Sequence, residues 1–358
     1  MNNLEVFKNY YKEEKNNLDK IINNYNEQLI KEDNSIIKDN LLLFRNLNCN
    51  GKLVRGILVN LGYYLLKDNK EYSNSLSLAY ELFQTGILIH DDVIDNDNKR
   101  RGVDTIHYSN YNKYKEYSDD LSEVKHLSNS IGICMGDYGL YLSNKVISDN
   151  YKNDSNLGNV LSYFNETVIN TIRGELLDVV LPFSSKNNII KEDKLEEHIM
   201  EIYKLKTSYY TIIGPMVCGL LLAGASNNNI KDVESFGEKI GIAFQIQDDI
   251  LGIYSDEMGK VKGSDIKEYK QTLLFSHAMN TEYKDELLKY YGKNELNEDI
   301  IDKVRKILID SNSLKYAEDL MNKLYDESII EIDNIKWIDN NKKILLKGFI
   351  EYLRGRNK

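Results

Sequence analysis

Apolar positions recur along this chain with a helical rhythm almost from end to end, and runs that alternate as strands do are scarce. Residues 76–94 form a long apolar-rich stretch without proline, and residues 195–206 and 233–254 repeat the pattern. Residues 1–44 predict one or two amphipathic helices, and residues 285–358 predict more, with Ile300, Val304, Ile307 and Leu308 at helix spacing. The polar segment 108–125, rich in Tyr, Lys and Asp, reads as an exposed loop or a frayed helix. Pro182 and Pro215 are the only prolines, and no Pro/Gly/Ser-rich linker interrupts the chain. The expected architecture is therefore all-α, one large helical domain over residues 1–358. Within it, residues 1–44 are N-terminal helices, 45–285 a core and 286–358 C-terminal helices.

One stretch changes that picture only if it spans a bilayer. Residues 207–230 hold no charge, and 209–225 approach the ~17 to 20 apolar residues that a membrane helix needs. Gly214, Pro215, Gly219 and Gly224 interrupt the run, so a buried central helix is expected and no transmembrane segment. The N-terminus mixes acids and bases without an apolar run, so no secretory signal is expected.

At 42% hydrophobic and 28% charged, the chain can bury a large core. A net charge of −10 argues against nucleic-acid binding, because phosphate backbones are held by basic surfaces. Local phosphate binding would then need metal ions or a few placed cations. Cys49, Cys134 and Cys218 are widely spaced, which supports neither a disulfide framework nor a zinc site and fits a reducing, cytoplasmic setting.

Two acidic motifs about 155 residues apart carry the chemistry. The first places Asp91, Asp92 and Asp95 at the C-terminal end of an apolar helix. Asp91 and Asp95, four residues apart, share one face. Carboxylates ~4 Å apart repel by roughly 4 kcal/mol at an effective dielectric near 20, and a hard divalent cation offsets this. A solvated acidic helix end is the plain alternative, although a helix C-terminus disfavours clustered acids. The second motif places Asp248 and Asp249 after another apolar run, with Gln245 one turn earlier. Two helices ending in paired Asp suggest opposing walls of one diphosphate pocket. Basic residues follow each motif: Lys99, Arg100 and Arg101 after the first, and Lys260, Lys262 and Lys270 after the second. Arg offers planar bidentate contacts to phosphate and Lys a compact charge. Gly51, Lys52 and Arg55 form an earlier basic cluster whose glycine would let backbone approach an anion.

Taken in order from about residue 50 to 275, these residues resemble the trans-prenyl (polyprenyl) diphosphate synthase family. Gly51, Lys52 and Arg55 look like its first substrate motif, with Gly56 where proline is usual. Gln84, the Asp91/Asp92/Asp95 motif, Arg100-Arg101-Gly102, His107 and Gly136-Asp137 fall where that family places their counterparts. So do Lys206-Thr207, Gln245, Asp248-Asp249 and the trailing Lys260, Gly263, Asp265 and Lys270. One departure stands out: Gly252 replaces the third Asp of the second motif.

The resemblance implies an isoprenoid-synthase helical bundle with a central cavity, a homodimer, and Mg²⁺ held by Asp91, Asp92, Asp95, Asp248 and Asp249. It implies that Arg100, Lys206 and Lys260 absorb charge as an allylic diphosphate leaves, while Lys52, Arg55, Gln84, Arg101 and Gly51 hold isopentenyl diphosphate and Lys270 assists. Thr207 and Gln245 would turn oxygen dipoles toward the allylic cation. The basic C-terminus, Arg354, Arg356 and Lys358, would either close over substrate or remain a solvated tail. Chain length follows from the first-motif helix if the product runs back along it. Gly86 and Ile87 would leave the first level open, and Phe83 and Tyr80, about 12 and 16 Å below Asp91, would form the floor. A product of geranylgeranyl length or longer is expected. A non-catalytic subunit and a class I terpene cyclase are the rival readings.

Overall fold

The computed structural model describes residues 2–31, 34–254, 263–293 and 297–356. Helices dominate, as the periodicity predicts. In chain order they are α1 (Asn3–Leu29), α2 (Ser35–Cys49), α3 (Val54–Tyr64) and α4 (Asn74–Ile94). A two-residue hairpin of β1 (Lys99–Arg100) and β2 (Val103–Asp104) follows, then α5 (Ile106–Tyr114), α6 (Leu121–Asn150), α7 (Leu157–Lys186) and α8 (Leu195–Ile202). A π-helix (Tyr203–Ile213) leads into α9 (Gly214–Leu222) and α10 (Asn227–Tyr254). The short α11 (Ser264–Lys267), α12 (Leu273–Met279) and α13 (Lys284–Leu287) precede α14 (Glu298–Asp310), α15 (Ser313–Asn334) and α16 (Asn340–Arg354).

These elements gather into two compact units. The N-terminal unit comprises Asn9–Ser162 with Cys218–Ala225; the C-terminal unit comprises Met1–Lys8, Tyr163–Val217 and Ser226–Lys358. In the N-terminal unit, Phe44, Leu58, Leu61, Leu76, Tyr80, Leu82 and Phe83 are fully buried around α4. In the C-terminal unit, Ile199, Ile246, Ile253, Phe275, Val304 and Leu308 form the core that carries α10.

The uncharged run beginning at Thr207 sits inside. The continuous helical stretch 195–222 is long and apolar enough to cross a membrane, yet 89% of its apolar window is buried in the protein. The polar segment 108–125 differs from expectation. Its first part belongs to α5, and α6 starts at Leu121, where the Asp120 side chain caps the N–H groups of Ser122 and Glu123 at 3.0 and 3.2 Å.

Candidate functional site

The first acidic motif closes α4. Asp95 is the C-cap residue, its N–H donating to the Asp91 carbonyl at 2.8 Å, and its side chain is exposed. Asp91 is partly accessible, whereas Asp92, one residue further round the helix, is 1% exposed. The β1–β2 hairpin turns through Arg101 and Gly102, both with positive φ, as a tight two-residue hairpin turn requires. That turn sends Arg100 back onto α4. Its Nε donates to Asp92 Oδ1 at 2.6 Å, and its Nη2 donates to Asp91 Oδ2 at 2.9 Å and Asp97 Oδ2 at 3.2 Å. Burial lifts the Asp92 carboxyl to about 7 despite Arg100. Burial alone would lower Arg100, but Asp92, Asp91 and Asp97 outweigh it and hold the guanidinium charged. His107 braces the same loop: its Nδ1 lies 3.2 Å from Thr105 Oγ1, which donates to the Asp97 carbonyl at 2.8 Å.

The basic cluster assembles at the start of α3. Arg55 Nη1 donates to Gln84 Oε1 at 2.7 Å, and Arg101 Nη1 donates to the Leu47 carbonyl at 3.1 Å. A Cβ at Gly51 would stand 3.0 Å from Leu53 Cδ2 and 3.2 Å from that guanidinium, so here the glycine leaves room for Leu53 and Arg101. Lys52 is exposed, and its carbonyl accepts from Tyr11 Oη at 2.6 Å. Gly56 has a local reason that the sequence did not reveal. Its N–H donates to the buried Glu81 Oε1 at 2.7 Å, a bond no proline can make.

The second motif lies in the C-terminal unit between α7, the π-helix and α10. π-Helical turns are rare and gather at functional sites. This one approaches α7 at Gly174, where a Cβ would stand 2.5 Å from the Lys206 nitrogen. Lys206 Nζ is held by Glu175 Oε2 at 2.7 Å and Asp178 Oδ2 at 2.6 Å. Thr207 Oγ1 donates to Gln245 Oε1 at 2.5 Å, and Gln245 Nε2 donates to Asp249 Oδ1 at 2.9 Å, which fixes the amide's orientation. Tyr203 donates its hydroxyl hydrogen to Asp249 Oδ2 in a short bond, and Lys270 Nζ stands 3.8 Å from Asp249 Oδ1. Burial raises the Asp249 carboxyl to about 6 against Lys270, Tyr203 and Gln245. Asp248 is more accessible, and Arg356 Nη2 reaches its Oδ1 at 3.0 Å.

The C-terminal arginines are therefore no free tail. Arg356 lies 4.5 Å over the Phe244 ring, and Gln247 Nε2 donates to the carbonyls of Arg354 and Arg356 at 3.3 and 2.9 Å. Sequence reasoning also missed Glu175, Asp178 and Tyr203. The first two were legible as acids one turn apart, just after Gly174. Lys260, Lys262 and Lys358 lie outside the described residues.

The two motifs repeat one arrangement. In each, the first Asp is partly accessible and touches a guanidinium, while the second is buried and accepts hydrogen bonds from neighbouring side chains. Of the five carboxylates expected to meet a metal, Asp92 and Asp249 are buried, and Asp91, Asp95 and Asp248 are the more accessible. Among the described residues, no three His, Cys, Asp or Glu side chains converge into a metal cage. Outward carboxylates suit a hard cation that takes one or two protein oxygens and completes its shell from water and phosphate.

A second correction concerns Gly86. A Cβ there would meet the Gly136 carbonyl oxygen at 2.8 Å and the Leu140 nitrogen at 3.1 Å, so this position faces the α6 backbone and opens no tunnel level. Tyr80 and Phe83 are fully buried with their rings edge to face, and Tyr80 Oη lies 3.1 Å from Cys218 Sγ. Ile87 is half-buried.

The family pattern described as Polyprenyl synthetase matches residues 40–308, well over half of the chain. The chain is 27% identical over 361 residues to the geranylgeranyl diphosphate synthase of Sulfolobus acidocaldarius, covering 99% of this chain and 100% of that one. It is 27% identical to a short chain isoprenyl diphosphate synthase of Methanocaldococcus jannaschii over 85% of each. Its fold is similar to a geranylgeranyl pyrophosphate synthase of Corynebacterium glutamicum complexed with isoprenyl diphosphate and magnesium. That likeness has a TM-score of 0.85 at 23% identity, covering 98% of this chain and 99% of that one.

Proposed function

The chain belongs to the polyprenyl synthetase family and is a prenyltransferase, and we propose that it uses Mg²⁺ to join isopentenyl diphosphate head to tail to an allylic diphosphate, giving an all-trans product of geranylgeranyl length or longer. The observation that carries this reading is the repeated arrangement at the two acidic motifs, a more accessible Asp beside a buried one. Asp91 and Asp95 at the first motif, and Asp248 at the second, would each offer oxygens to Mg²⁺, which when bound supplies Lewis-acid neutralisation of the diphosphate oxygens.

The chain's own residues divide the remaining work. Arg100 and Lys206, each already fixed by carboxylates, present cations to the allylic diphosphate and absorb charge as its C–O bond ionises. Lys260 would join them from outside the described residues. Arg55, Arg101, Gln84 and Lys52 hold isopentenyl diphosphate without metal. Its double bond attacks the allylic carbon, and the new cation loses a proton to the departing diphosphate. The Thr207 hydroxyl, its hydrogen committed to Gln245, turns lone pairs toward the positive carbon. No protein base is required.

Tyr80 and Phe83 set the depth of the product site in this reading, with Ile87 above them, and Gly86 drops out. A homodimer is supported by α7, where Ile169, Ile172, Leu176, Val179 and Phe183 recur at helical spacing and are each about half exposed or more. Replacing Leu176 with Asp should turn a dimer into a monomer in sedimentation velocity. A reducing, cytoplasmic setting is supported by three unpaired cysteines. Gly56, where the family pattern has proline, has a local structural reason in its bond to Glu81, which leaves the non-catalytic reading less support.

The deciding experiment incubates the purified chain with Mg²⁺, labelled isopentenyl diphosphate and each allylic starter in turn, and sizes the products. Elongation that needs both substrates and the metal is expected. Absence of elongation, or a hydrocarbon formed without isopentenyl diphosphate, would overturn the reading.

A further inference from the structure

The N-terminal unit holds a cavity of about 390 Å³ whose walls include none of the residues assigned above to prenyl transfer. Its size falls in the ~300 to 1,000 Å³ range of small-molecule sites. Two helix faces build it. His107, Tyr108 and Tyr111 share one face of α5, and Leu121, Lys125 and Ser128 share one face of α6. Asn96 and Asn98, on either side of Asp97 in the loop between α4 and β1, complete the rim.

Each part of the wall brings its own chemistry. Tyr108 and Tyr111 supply ring surface. Lys125 is the one charged side chain on the wall among the described residues. Asp120 already caps the N–H groups of Ser122 and Glu123, so an anion entering here meets the ammonium and not the helix end. His107 is 5% exposed, and its hydrogen bonding fixes its tautomer. Thr105 Oγ1 spends its hydrogen on the Asp97 carbonyl at 2.8 Å, so it must accept from His107 Nδ1 at 3.2 Å. Nε2 is then left as an acceptor, with no hydrogen bond from any described residue. Burial, helped by Lys125 and opposed by Asp97, keeps that ring neutral.

We propose that this cavity binds a planar ring bearing a hydrogen-bond donor and an anionic group, with the donor on His107 Nε2, the anion on Lys125 and the ring against Tyr108 and Tyr111. A purine nucleotide and a hydroxylated aromatic acid share that chemistry. Occupancy reaches the reaction through the rim. Asp97 accepts from Arg100 Nη2 at 3.2 Å, and its carbonyl accepts from Thr105, so a ligand that pins Asn96 and Asn98 pins the loop that aims Arg100 at Asp91 and Asp92. This coupling rests on the prenyl-transfer reading above, whereas the binding does not.

Titration calorimetry of the full chain with adenosine 5′-monophosphate and with 4-hydroxybenzoate tests the site and separates the two sources. At least one probe should bind. Lys125→Met keeps the stem of an exposed side chain and removes its charge, and should weaken that probe about tenfold. The donor is tested on the probe, because His107 also braces the loop. Benzoate in place of 4-hydroxybenzoate, or purine riboside 5′-monophosphate in place of adenosine 5′-monophosphate, should bind about fivefold more weakly. In steady-state assays the bound probe should shift KM for the allylic substrate. Lys125→Met should remove that shift and leave elongation without the probe unchanged. No binding by either probe, or binding that Lys125→Met leaves as tight, overturns the site whether or not the chain elongates. Binding with no change in KM overturns the coupling to Arg100. A chain that binds a probe yet elongates nothing overturns the prenyl-transfer reading and leaves the site standing.

Discussion

Arg356 Nη2 stands 3.0 Å from Asp248 Oδ1, so a guanidinium occupies the oxygen expected to receive a metal. Both side chains are partly shielded, at 16% and 28% exposure, and the Arg356 cation also lies over Phe244. Any cation entering at Asp248 must displace that arginine. Replacing Arg356 with Ala should therefore lower the Mg²⁺ concentration for half-maximal activity about fivefold, corresponding to the ~1 kcal/mol of a partly exposed pair. A Mg²⁺ titration of initial rates at saturating substrates checks this, and an unchanged midpoint would mean that Arg356 does not compete.

Gly174 governs how closely α7 and the π-helix approach. A methyl there would lie 2.5 Å from the Lys206 nitrogen and 2.9 Å from its Cα, contacts with backbone that cannot swing aside. Gly174→Ala should cost about 1 to 3 kcal/mol, seen as a lower Tm, and should depress kcat by displacing Lys206. Gly158, near the start of the same helix, has nothing within 4 Å of its would-be Cβ. Alanine at Gly158 should stabilise by about 0.5 to 1 kcal/mol through helix propensity and leave kcat alone.

The contrast between these two glycines indicates what the sequence can and cannot reveal. The all-helical architecture, the buried nature of 195–222 and the placement of the first acidic motif at a helix end followed from periodicity, because a 3.6-residue repeat is a local property. Which Asp of each pair turns inward depends on where neighbouring elements pack, and only the fold settles that. Gly86 misled for the same reason. A small residue on an apolar helix signals close approach of something, and the something was the α6 backbone. Arg356 was unreadable as a partner of Asp248 because 108 positions separate them and no periodic pattern links the two.

Tyr80 is the residue on which product length should turn. It is fully buried, packs edge to face on Phe83 and touches Cys218 Sγ through its hydroxyl. Tyr80→Ala should lengthen the product by at least one isoprene unit, at a stability cost of about 3 to 5 kcal/mol. Tyr80→Phe keeps the ring volume and removes only the hydroxyl contact, so it should cost about 1 kcal/mol and leave the product unchanged. Chromatographic sizing of products from the two variants separates volume from polarity. Identical products in all three proteins would move the floor elsewhere.

Glu81 should give the fold a pH dependence that glutamine removes. Its carboxyl is buried at 3% exposure, and burial raises it above the usual range near 4.5, opposed by the Gly56 N–H, Arg55 from α3, Arg101 from the hairpin and Lys15 from α1. The sign follows from linkage. With the folded value above the unfolded one, stability is fully present below the unfolded pKa. It is lost as pH rises through the folded value, because the unfolded chain releases its proton first. Above that window the ionised carboxylate carries its full desolvation penalty. Glu81→Gln keeps an oxygen for the Gly56 N–H at the same reach, yet it has no proton to lose. Denaturant midpoints for wild type and Glu81→Gln should therefore converge in mild acid and separate as pH rises to 7, with the variant the more stable. Parallel midpoints across that range would mean that Arg55, Arg101 and Lys15 hold the carboxylate charged as comfortably inside the fold as outside it.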